Sequence, residues 1–133
     1  LGKGPTEKII NKVVKNVVSL RRWQQARCLI IDEISMIDGK LFDTLDAVAK
    51  RARESDEPFG GLQLVLCGDF FQLPPVSLSS RGFAFSSEAW RTSGIHAVEL
   101  NTIVRQEGNL EFIHALRQLR EGKCPRDVED LLA

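Results

Sequence analysis

Two short runs, "RCLIID" at 27–32 and "LQLVLCGD" at 62–69, read as strands, and the first is apolar with no polar–apolar alternation. A strand with one wet face alternates, so a continuous apolar run fits a strand buried on both faces, as in parallel sheets. The segment between them, "GKLFDTLDAVAKRARES", places Leu41, Leu45, Val48, Ala49 and Ala52 on one stripe. That spacing predicts a helix of about four turns. "EPFGG" breaks it. Buried strands alternating with helical patterns predict an α/β fold, a mostly parallel sheet with flanking helices. In such sheets ligands bind at the carboxyl ends of the strands.

The remaining segments suit the same architecture. Residues 5–18 put Ile9, Ile10, Val13, Val14, Val17 and Val18 at helical spacing, with Lys8, Lys12 and Lys15 on another face. "SSEAWRTSG" reads as a short helix with a serine cap and Gly94 as its stop. "AVELN" at 97–101 is a third strand candidate. "NLEFIHALRQLREG" is a helix with Asn109 as N-cap and Gly122 as terminator. Cys124-Pro125 opens a last short helix. "FFQLPPV" cannot continue a central strand, because Pro74 and Pro75 donate no backbone hydrogen bond.

The 133 residues are 43% hydrophobic, enough for one core. Eighteen basic residues balance eighteen acidic ones, so whole-chain charge favours no polyanionic partner. The charge is uneven, however. Residues 1–27 hold seven Lys and Arg against Glu7, a net of +6; this is either a solvated helix face or a phosphate-binding one. Cys28, Cys67 and Cys124 have no metal-binding spacing, and so sparse and odd a count suits a reducing interior compartment. No apolar run approaches a membrane span and no signal peptide is visible. The chain begins at Leu1 rather than Met, as a piece of something longer would.

The chemistry concentrates at the strand tips. Asp32 and Glu33 end the first run; Gly68-Asp69 ends the second, with Gln72 just beyond. An apolar strand ending in Asp-Glu has the look of a Walker B element in a nucleotide hydrolase. Asp32 suits Mg²⁺, which wants hard oxygen ligands and keeps part of its hydration shell. Glu33 suits the water that attacks the γ-phosphate. The plainer alternative is a pair that caps a strand or meets the basic face. Gln72, in a loop stiffened by two prolines, can touch the γ-phosphate and report its loss, or simply be solvated.

"DEISM" at 32–36, "PFGGLQLVLCGDFFQLPPV" at 58–76 and "LNTIVRQ" at 100–106 follow one another in that order. Together they resemble motifs II, III and IV of the Pif (petite integration frequency) family of 5′-to-3′ DNA helicases of superfamily one. The resemblance runs over essentially the whole chain. It implies a partial P-loop NTPase, or RecA-like, motor domain, with residues 1–100 the later part of the first motor domain and 101–133 the start of the second. It implies ATP and Mg²⁺ as cofactors, with Asp32 the metal-ligating acid, Glu33 the catalytic glutamate and Gln72 the γ-phosphate sensor. Arg105 would be an arginine finger acting in cis; a guanidinium stays charged and forks onto phosphate oxygens. Val104 departs from the aromatic residue frequent in the family before Arg-Gln.

The resemblance further implies single-stranded and forked DNA as partners, roles in repair, recombination and telomere maintenance, and an intracellular setting, in the nucleus or mitochondrion of a eukaryote. A P-loop, G-x-x-x-x-G-K-[ST], is not among these 133 residues: in "LGKGPT", Gly4 follows Gly2-Lys3 where Ser or Thr is required. The expectation is therefore an internal fragment, inactive alone, whose P-loop lies upstream. Two other readings compete. One is a non-catalytic α/β binding module. The other is a metal-dependent hydrolase using Asp32, Glu33 and Asp69, disfavoured because the two histidines, His96 and His114, lie far from these acids in sequence. Trp23, Trp90 and most phenylalanines sit in core-like contexts, and Phe70 and Phe71 are left open as base-stacking candidates.

Overall fold

The computed structural model describes residues 6–76, 82–102 and 110–132. The chain divides into two compact units, Leu1–Ile95 and His96–Ala133. In the first, α1 (Thr6–Lys15) and α2 (Val17–Gln25) precede strand β1 (Cys28–Ile31). Helix α3 (Gly39–Arg53) connects it to β2 (Gln63–Leu66), and α4 (Glu88–Thr92) follows. Strands β1 and β2 pair in parallel, with Cys28 opposite Gln63 and Ile31 opposite Leu66. The expected α/β crossover is therefore present.

The helix expected over 5–18 is two helices. Asn16 leaves the helical region at φ −90°, ψ 105°, and its side chain accepts a hydrogen bond from the backbone N–H of Ser19. Asparagine is a strong N-cap because it satisfies a donor that the first helical turn leaves orphaned. The helix thus restarts at Val17, and Val17 and Val18 point to solvent instead of joining the core stripe.

Helix α3 is the hub of the first unit. Asp38 caps it, its carboxylate accepting from the N–H of Leu41 at 2.6 Å. Phe42, Val48, Ala49 and Ala52 are fully buried or nearly so, while Leu41 and Leu45 of the expected stripe are only half-buried. The Phe42 ring meets Phe59 edge-on at 5.0 Å and Trp90 at 5.6 Å. The carboxylates of α3 also tie down backbone: Asp46 accepts from Phe59 N–H at 2.7 Å and Asp43 from Ala89 N–H at 2.9 Å. The "PFGG" turn owes its glycine to this packing. Gly60 has φ +59°, and a Cβ there would lie 2.8 Å from the Ala49 carbonyl oxygen, which only glycine avoids.

Arg53, at the end of α3, donates to the carbonyls of Gly60, Trp23, Gln24 and Ala26. It satisfies the open carbonyls at the end of α2 and holds the chain entering β1 beside the chain entering β2. We expect Arg53→Met, which keeps the stem but removes every donor, to leave several half-buried carbonyls unpaired. Amides of β1 and β2 should lose about 2–3 kcal/mol of protection in hydrogen exchange, the scale of hydrogen bonds to a charged group. Unchanged protection would show that the clamp holds nothing together.

Two expectations need correcting. The strands are covered on one side only among the described residues: Leu29, Ile31, Leu64 and Leu66 pack onto the core, while Ile30 and Val65 are 67% and 38% exposed. Residues 97–101 form no strand; Val98 and Leu100 are exposed, with no described ladder partner to satisfy a strand's backbone. In the second unit α5 (Leu110–Arg120) and α6 (Arg126–Leu132) touch each other, and Ala115 and Val128 are buried. Gly122 ends α5 at φ +73°, as expected; the proposed cap Asn109 lies outside the described residues.

Candidate nucleotide-hydrolysis site

Strand β1 ends at Ile31, one residue before the paired acids. Asp32 and Glu33 are both exposed. Glu33 adopts the left-handed conformation, φ 51° and ψ 49°, which a non-glycine residue holds at a cost of order 1–3 kcal/mol. The pair therefore sits on a backbone turn, past the end of the pleated strand. The Glu33 N–H donates to the Asp32 carboxylate at 2.9 Å. A single 3₁₀ turn, Ile34–Met36, follows, with Ile34 buried.

The second strand tip is bound to this turn. Cys67 N–H donates to the Ile31 carbonyl and Ile34 N–H donates to the Cys67 carbonyl, both at 2.9 Å. These bonds extend the ladder past the end of the strands and over-determine the Glu33 geometry. Gly68, at φ +152°, makes the approach possible: a Cβ there would stand 2.9 Å from the Ile34 nitrogen and 3.1 Å from its Cγ2. Asp69 then builds the following turn. Its carboxylate accepts from Phe71 N–H and from the Gln72 side-chain amide, each at 3.0 Å, and its carbonyl accepts from Gln72 N–H at 3.0 Å. Gln72 is exposed but held.

Asp32, Glu33 and Gln72 thus come to the same, carboxyl, end of the sheet. Asp69 holds the Gln72 side chain. Among the described residues no three His, Cys, Asp or Glu side chains gather as a metal site. Arg105 lies outside the described residues. The two phenylalanines separate: Phe70 packs against Phe83, Phe85 and Trp90, with ring centroids 4.9–6.1 Å apart, and anchors the loop to the core. Phe71 is 70% exposed. Sequence reasoning missed the Asp69–Gln72 bond; its signal was the spacing D-x-x-Q, which lets a turn-forming Asp reach its own neighbours.

A parallel sheet with a helix crossover and polar groups converging at its carboxyl edge is the architecture of a RecA-like α/β motor domain. The PIF1-like helicase family model matches residues 1–130. The chain is 44% identical, over 96% of its length, to the ATP-dependent DNA helicases PIF1 of Candida albicans and of Xenopus laevis. It covers 15% and 20% of those proteins. The crystal structure of Pif1 helicase from Candida albicans superposes with a TM-score of 0.89 at 46% identity, over 96% of this chain and 29% of that one. Pif1 from Bacteroides in complex with ADP-AlF3 and single-stranded DNA gives 0.81 at 36% identity, over 89% of this chain and 30% of that one. The chain belongs to the PIF1-like helicase family.

Proposed function

We propose that this chain is part of an ATP-dependent 5′-to-3′ DNA helicase and carries the half of its nucleotide site that acts on the γ-phosphate. The observation that carries the reading is the linkage of the two strand tips, through Ile34 and Cys67, that sets Asp32, Glu33 and the Asp69-held Gln72 at one edge of the sheet. The solved Bacteroides relative bound to ADP-AlF3 and single-stranded DNA supports it, as do relatives named ATP-dependent DNA helicases.

The residues present fit Mg²⁺. Asp32 offers an exposed carboxylate, and this ion typically takes one or two carboxylates, substrate phosphates and several waters, not an all-protein cage. When bound, the ion neutralises charge on the phosphate oxygens. Glu33 would orient the attacking water and accept its proton. Its left-handed backbone is fixed by the Ile34–Cys67 bond independently of its carboxylate, which is thus left for that role while Asp32 serves the ion. Gln72 would hydrogen-bond the γ-phosphate; the Asp69 carboxylate takes the amide N–H and so sets which way the amide faces. Arg105 would complete the charge compensation from the second motor domain, placed at 101–133, with 1–100 in the first. Single-stranded and forked DNA are the partners in this reading, inside the cell, in nucleus or mitochondrion if the source is eukaryotic.

The reading is tested with the full-length protein and with the 133-residue chain alone. Full-length protein should release phosphate from ATP when single-stranded DNA is added and should separate a duplex bearing a 5′ overhang. The chain alone should do neither, because the P-loop that supplies most phosphate contacts is not among its residues. Robust turnover by the chain alone, or a full-length protein indifferent to DNA, would overturn the proposal.

A further inference from the structure

The nucleotide reading leaves one charged surface unused. Lys8, Lys12 and Lys15 recur at i, i+4 and i+7 on α1, opposite the buried Ile9, Ile10 and Val13. All three are exposed, as are Arg21 and Arg22 on α2 and Arg27 at the foot of β1. None of the six forms an ion pair with a described residue. Only Glu7 offsets them in this stretch. Because Asn16 restarts the helix, Val17 and Val18, 69% and 60% exposed, lie one turn from Arg21 and Arg22. Helix α2 has no buried residue.

Arg21, Arg22 and Arg27 lie by the foot of the sheet, away from the nucleotide end. Arg53 binds the carbonyls of Trp23, Gln24 and Ala26 together with that of Gly60, so the end of α2 sits where β1 and β2 begin. Asp32, Glu33 and Gln72 follow the opposite ends of those strands, and each strand residue adds about 3.3 Å. A cluster of uncompensated cations concentrates polyanions from solution.

We propose that the exposed cations of α1 and α2 form a nucleic-acid contact outside the nucleotide site, gripping the phosphate backbone of DNA, with Val17 and Val18 against sugar or base. The inference rests on the helicase reading for its ligand but concerns residues outside the nucleotide site. Lysine and arginine on phosphates release condensed counterions. Removing one such cation therefore flattens the salt dependence of binding by about 0.7 for single strands and 0.9 for duplex on a log–log plot.

The test uses the full-length protein and K12Q/K15Q/R21Q/R22Q. Affinity for a labelled single-stranded oligonucleotide and for a blunt duplex of equal length is measured across a salt series. The slope should fall by about 2.8 if this face holds single strands and by about 3.6 if it holds duplex. Glutamine has nearly the helix propensity of lysine and arginine, and the slope does not depend on the fraction of active molecules, so partial unfolding does not mimic the effect. Unchanged slopes on both forms, with wild type binding normally, would overturn this contact alone. A wild type that binds neither form would overturn the helicase reading itself. Loss of poly-glutamate binding with unchanged DNA slopes would assign the face to an acidic protein segment and end the proposal.

Discussion

Glu33→Gln in the full-length protein is expected to lower ATP turnover by roughly 10²–10⁴, the usual contribution of a positioned general base, while ATP still binds. The amide has the shape of the carboxylate but does not take a proton from water. The backbone that presents it should survive the change: the left-handed turn at residue 33 is held by the Ile34 N–H to Cys67 carbonyl bond and by the buried Ile34 side chain, neither of which involves the Glu33 carboxylate. Asp32 remains available for Mg²⁺. The deciding measurement pairs steady-state phosphate release at saturating single-stranded DNA with the affinity for a fluorescent ATP analogue. Near-normal turnover would remove Glu33 from the mechanism; equal loss of binding and turnover would point instead to a damaged site.

Arg105→Ala in the same protein is expected to cripple DNA-stimulated ATP hydrolysis and unwinding, with a smaller effect on single-strand binding. In the proposed reading, "LNTIVRQ" is a motif at the junction of the two motor domains, from which Arg105 would reach the γ-phosphate on closing. A charge that arrives on closure stabilises the transition state more than the ground state, the condition for raising turnover. Arginine fingers contribute roughly 10³–10⁵ in rate in other phosphoryl-transfer enzymes. Arg105→Lys should rescue poorly, because a point charge does not fork onto two oxygens. Turnover of the three proteins at saturating DNA, with melting temperatures alongside, decides the matter. If all three turn over alike, Arg105 is a surface residue, whose substitution usually changes stability by under about 0.5 kcal/mol.

The elements legible in the sequence are those whose signal is local. "CLII" and "QLVL" are short apolar runs, and they are strands at those positions. Ser87 caps α4 through its hydroxyl, accepting from Trp90 N–H, and cap chemistry is confined to four residues. Asp32 and Glu33 at a strand tip required only that the strand be recognised. Even the break at Asn16 was locally encoded, although the apolar spacing runs straight through it. What determined these features is periodicity and the hydrogen-bonding reach of a side chain to its own neighbours.

Tertiary structure alone decided what those elements are held by. Asp43 reaches the amide of Ala89, 46 residues away, and Arg53 the carbonyl of Trp23, 30 residues away; no periodicity marks either residue. Phe70 and Phe71 are identical and adjacent, yet one is packed among Phe83, Phe85 and Trp90 and the other is exposed. "AVELN" has the composition of a strand and is none, because a strand is completed by its ladder partner and not by its own residues. Side-chain spacing is a property of one segment, whereas pairing and packing belong to two, and only the folded chain brings the second to the first.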